Sequence, residues 1–161
     1  MATKHEMMQR MIHQYRHETG EKDIDMHKVV RFAVKRGWKL PKPDDAYDRL
    51  AKQFSAAARE EIRHDNETHR PYRVNHYFIT EQGDTQLRLW LDIDDDAPRF
   101  KMVKALGLRR EQMIGDGLQM TLDADHWSRI HSNEEPIQPD MDFTDEIEWR
   151  KNAPGEDEKA S

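Results

Sequence analysis

The chain has no cysteine. That excludes disulfides, thiolate metal sites and cysteine nucleophiles at once, and it fits a reducing compartment. Long apolar runs are missing too: nothing approaches the roughly 20 residues of a membrane-spanning helix, and Met1 to Glu6 carries no signal-peptide core. A soluble, cytoplasmic protein without a membrane partner is expected. No Gly-rich phosphate loop, serine nucleophile elbow or HExxH motif occurs, and no carboxylate pair has an evident environment to shift its titration. The expectation is therefore of no catalytic residues, metal or cofactor, and of a role that is more binding than enzymatic.

What the chain has in quantity is charge. Charged residues make up 36% and hydrophobic residues 35%, and the mean hydropathy is -1.09, so the core must be lean and some segments should lie outside it. The charge is also divided: residues 1–80 carry 16 Lys+Arg against 12 Asp+Glu, whereas residues 81–161 carry 10 against 20. Seven of the nine histidines stand in the first half, where positive potential would grow below about pH 6.5. An acidic partner for that half competes with a plainer reading, in which the two halves complement each other within one fold.

Apolar spacing orders the elements. Met7, Met8, Met11, Ile12 and Tyr15 form one helical stripe stopped by Gly20, and Met26, Val29, Val30, Ala33 and Val34 form a second, capped by Asp25 and closed by Gly37. Leu40-Pro41-Lys42-Pro43 is a rigid connector, because each proline lacks a donor and restricts its predecessor. After Asp44 or Asp45, a long helix is predicted with Tyr47, Leu50, Ala51, Phe54, Ala57, Ala58 and Ile62 on one face. A hairpin follows, its strands running over Tyr72–Thr80 and Leu87–Ile93 around the turn Gln82-Gly83-Asp84, with Leu87, Leu89, Leu91 and Ile93 turned inward. Pro98 opens further helical stretches, the first with Gly107 as a break or a tolerated kink, one from Leu108 containing Gly115 and Gly117, and one capped by Asp123 or Asp125. Pro136 and Pro139 then enforce an extended segment, and Thr144 caps a short turn. The fold class is α+β, helices followed by a β-hairpin in a winged-helix-like arrangement with additional C-terminal helices. It is organised as one domain over 1–131 and an extended acidic tail over 132–161 with one short helix, disordered from Asn152.

Several side-chain groups bear on function. Lys52, Arg59, Arg63, Arg70 and Arg73 run through the third helix into the first strand, where they can meet phosphates if that helix enters a groove and the hairpin flanks it. Glu60 and Glu61 would dilute them by pairing with Arg63 or Arg59. Trp90 faces the wet side of its strand, with Tyr77 beside it across the hairpin; together with Trp127 and Trp149 it could anchor a protein partner or stack on bases. His13, His17 and Glu18, and the string His64, Asp65, Glu67, His69, are the raw material of a metal-dependent nuclease but lack further ligands; capping and solvation explain them more simply. Asp94-Asp95-Asp96 lacks the Gly and distal Glu of a calcium loop.

Arg36-Gly37-Trp38-Lys39-Leu40-Pro41-Lys42-Pro43, Arg109-Arg110-Glu111-Gln112-Met113 and Asp145-Glu146-Ile147-Glu148-Trp149-Arg150 together resemble a family of uncharacterised bacterial proteins, over nearly the whole chain. The resemblance implies no activity and no site residues. Likeness to winged-helix modules rests on element order, with the stiff Leu40–Pro43 connector longer than a tight helix-turn-helix uses. The function expected is non-enzymatic binding of nucleic acid, double-stranded DNA above all, as a regulator or accessory subunit. The alternative is a protein-interaction subunit of a larger complex, or a homodimer, without nucleic-acid contact.

Overall fold

Helix α1 (Lys4–Thr19) begins where the Thr3 hydroxyl accepts from the Glu6 N–H while the Glu6 carboxylate accepts from the Thr3 N–H, and it ends at Gly20 with φ 72°. The computed structural model describes residues 1–153 of the chain. Asp25 caps α2 (Met26–Lys35), accepting from the His27 N–H, and Gly37 follows at φ 92°. Asp45, of the two candidates, accepts from the Tyr47 N–H at the start of α3 (Ala46–Glu60). Among the described residues the remaining elements are β1 (Ile62–His64), β2 (Pro71–Arg73), β3 (Asn75–Gln82), β4 (Thr85–Asp92), α4 (Arg99–Ile130) and α5 (Thr144–Lys151). The protein is thus α+β, with helices and two antiparallel hairpins, β1–β2 and β3–β4.

Two compact units divide the chain, Met1–Arg49 and Leu50–Ser161. In the first, α1 and α2 bury Tyr15, Val29 and Ala33 against each other. The Tyr15 ring meets Phe32 edge-on at 5.2 Å, and Arg36 lies over Phe32 at 3.5 Å while pairing with Glu18. In the second, the buried side chains among the described residues are few: Val74 between β2 and β3, His76 and Phe78 in β3, and Ala105 and Ala124 from α4.

The long third helix stops at Glu60 rather than running through Ile62. Ile62–His64 instead pairs with Pro71–Arg73, and the expected strand Tyr72–Thr80 is interrupted at Val74. Val74 joins the hairpins: its N–H donates to the Glu61 carbonyl at 3.2 Å and its carbonyl accepts from the Ile93 N–H at 2.9 Å. It is 1% exposed, so its backbone bonds are made where water cannot replace them. The second hairpin matches expectation. Gln82 pairs with Thr85 across a two-residue turn whose first residue, Gly83, has φ 62°, the conformation that glycine adopts without strain.

The leucine ladder is a strand, but its burial is uneven. Register sets Leu91, Leu89 and Leu87 opposite His76, Phe78 and Thr80; Phe78 is 9% exposed, whereas Leu89 is 43%. Helix α4 packs against β3, so cover is concentrated on β3 and fades across the hairpin. Helix α4 is one continuous element of 32 residues, about 48 Å long at 1.5 Å per residue, where sequence spacing suggested three pieces. Its glycines weaken it by about 1 kcal/mol each but cannot break it, since they retain their N–H donors and stand among good helix formers. Beyond Ile130 the chain turns back: Ser128 accepts from the Ile137 N–H, and Met141 packs over Gly117. Of the tail expected to be disordered from Asn152, the first residue is held in place, its side chain donating to the Glu148 carbonyl and accepting from Arg70, and residues 154–161 lie outside the described residues.

A cationic aromatic cleft as candidate functional site

The five cations singled out in the sequence do not form one strip. Arg63 and Tyr72 are cross-strand partners on one face of β1–β2, while Ile62 and Arg73 occupy the other, since side chains alternate across a pleated sheet. The Arg63 guanidinium is engaged by Asp92 (2.8 and 2.9 Å) and Asp94 (2.8 Å), and the Tyr72 hydroxyl donates to Asp94 at 2.7 Å. Asp92 is held below the usual carboxylate range by Arg63 first and the Asp94 N–H second; Asp94 is held there by Tyr72 and then Arg63. The expected pairing of Glu60 or Glu61 with Arg63 is replaced by this cluster, and Glu61 accepts from the Asn75 amide at 2.9 Å. Arg70 donates to the Asn152 side chain at 2.8 Å. Lys52 lies on α3 away from the cleft lining.

Arg59 and Arg73 do converge, and Arg109 of α4 joins them. With His76, Tyr77, Trp90 and Gln112 they line a cleft of about 260 Å³ that lies wholly within the second unit. All three arginines are exposed, and none makes an ion pair among the described residues. Fixed backbone sets their origins. The Asn75 amide donates to the Ala58 carbonyl at 3.1 Å, tying the end of α3 to β3 beside Arg59. His76, 7% exposed, donates Nε2–H to the Arg73 carbonyl at 2.9 Å. On the floor, Tyr77 and Trp90 are directly opposite in register with ring centroids 5.2 Å apart. The Tyr77 hydroxyl accepts from Gln112 at 3.1 Å, Arg59 stands 5.5 Å over the Trp90 ring, and Arg88 stands 4.4 Å over Tyr77.

Arg109 is not among the site residues legible in the sequence, because a break or kink at Gly107 leaves its face undefined. In a continuous helix Ala105, Arg109 and Gln112 share one face, and small, buried Ala105 allows that face to approach β3. Trp127 stacks on His131 at 4.2 Å and is half-buried, while Trp149 on α5 is 73% exposed. His64 ends β1 and Asp65 to His69 make the turn to β2: Asp65 accepts from the Thr68 and Glu67 N–H groups, which hold its carboxylate below the ordinary range. Among the described residues no three His, Asp or Glu side chains gather as metal ligands. Likewise among the described residues, no helix is long and apolar enough to cross a membrane. Comparison with protein-family models, curated proteins and solved structures finds no match.

Proposed function

We propose that the protein binds nucleic acid without chemically altering it, through the cleft between α3, the hairpins and α4. The observation that carries this reading is the convergence of Arg59, Arg73 and Arg109, none in an ion pair among the described residues, around an aromatic floor. In a chain with a net charge of -6, three such guanidinium groups on three different elements form a local anion site against the overall field. A winged helix would lay α3 in a groove, whereas this reading puts phosphate contact in the cleft, and in chain order the β1–β2 hairpin stands between α3 and the β3–β4 hairpin. The outward side chains of α3 include Tyr47, Leu50 and Phe54, which suit phosphate poorly.

Fluorescence anisotropy with labelled oligonucleotides at varied salt tests the proposal. Three phosphate contacts should weaken affinity roughly 20- to 40-fold between 50 and 200 mM salt. Absence of binding to any oligonucleotide at 50 mM salt would remove it.

A second reading, a subunit docking a protein, is favoured by an apolar groove of about 330 Å³ between α1 and α2, lined by Met8, Met11, Met26, Val30, Val34 and Leu40 among others. Methionine-rich grooves adapt to amphipathic helices. Loss of a specific co-purifying protein on Val30→Glu substitution, with folding retained, would support this reading.

A further inference from the structure

We infer that the cleft takes a single strand, holding one unstacked base on Trp90 with its phosphate among Arg59, Arg73 and Arg109; this deepens the nucleic-acid reading and rests on it. The cleft's size is the first ground. At about 260 Å³ it falls just under the roughly 300–1,000 Å³ of pockets that enclose drug-sized ligands, so it suits one nucleotide. A duplex would need to enter as a rod whose major groove alone is about 12 Å wide.

The second ground is how Trp90 is flanked. In a duplex each base is covered by its neighbours and offers only its edges, so an aromatic ring face has a stacking partner only where a base is unstacked. Tyr77 meets Trp90 at an interplanar angle of 56°, which leaves the ring unstacked by its neighbour. Arg59 sits 5.5 Å from the ring centroid, whereas Arg36 lies on Phe32 at 3.5 Å, a filled face. A base between Trp90 and Arg59 needs two layers of about 3.5 Å each, so a retreat of Arg59 by roughly 1.5 Å makes the sandwich. Arg59 is an exposed side chain with no ion pair among the described residues to oppose that movement.

The third ground is the origin of the cations. Arg73 comes from β2 and Arg109 from α4, and both line this one cleft instead of following a single helix face.

The test measures the affinity of wild type, Trp90→Ala and Trp90→Phe for one 12-nucleotide sequence as single-stranded DNA, single-stranded RNA and duplex DNA, at 50 mM salt. Either single strand should bind at least tenfold more tightly than the duplex. Trp90→Ala should lose roughly 5- to 150-fold of that affinity, and Trp90→Phe, which keeps a ring, should retain most of it. The preferred strand type identifies the sugar the site accepts. Circular dichroism on both variants confirms folding; if Trp90→Ala does not fold, Trp90→Leu, which keeps apolar bulk but no ring, takes its place and should lose at least about fivefold of the single-strand affinity. Duplex binding as tight as single-strand binding, or indifference to position 90 in folded protein, overturns this inference and leaves the nucleic-acid reading standing. No binding to any of the three overturns both.

Discussion

Arg63 shows how little a cation's place in sequence says about its work. Four positions after Arg59, it would share that residue's helical face if α3 continued; because Ile62–His64 is a strand, it turns instead to Asp92 and Asp94. Both carboxylates titrate below their unfolded value of about 3.9. Their contribution to stability is therefore complete above about pH 4 and is lost as pH falls through the lower folded values. The difference in Tm between wild type and Arg63→Gln should accordingly be largest near neutrality and shrink below about pH 4; a constant difference across that range would refute the assignment. Phe78 makes the complementary point for the core. Its removal as Phe78→Ala should cost roughly 3 kcal/mol in urea unfolding, because few other large side chains share the load.

Helix α4 is the element on which the sequence reading and the structure differ most. Gly107, Gly115 and Gly117 suggested a broken helix, yet a glycine lowers helix stability without removing a hydrogen bond, and no proline interrupts residues 99–130. A Cβ built at Gly107 or Gly115 meets nothing within 4 Å, and neither residue has positive φ. Gly107→Ala and Gly115→Ala should each stabilise by up to about 1 kcal/mol, raising Tm by roughly 2–4 °C, measurable by scanning calorimetry. A loss of stability would contradict the open space around these two positions. The elements that were legible, α1, α2 and the β3–β4 hairpin, carry their own signals: stripes at spacings of three and four, Asp25, Gly20, Gly37 and Gly83. The short β1–β2 pairing was not legible, since three-residue strands owe their existence to Val74 and the ion pairs around Asp94 rather than to local propensity.

At the scale of the molecule, the candidate site was half visible in the sequence. Arg59, Arg73, Trp90 and Tyr77 were recognisable as cations and aromatics worth weighing, whereas Arg109 comes from an element 36 residues beyond Arg73 and is brought in only by α4 packing on β3. Helix α4 also turns Phe100, Val103, Leu106, Ile114 and Leu118 outward, and all are exposed. The charge asymmetry between the chain's halves therefore matters less than the local geometry, because Arg109 belongs to the acidic half and still completes the basic cleft.

The most direct measurement compares the affinity of Arg73→Gln/Arg109→Gln for a labelled oligonucleotide with that of Arg70→Gln, which changes a cation held by Asn152 outside the cleft. Two lost charge-assisted contacts should weaken binding by well over tenfold and flatten its salt dependence, while Arg70→Gln stays within about twofold of wild type. Equal losses in both variants, or none in either, would contradict the placement of the binding surface.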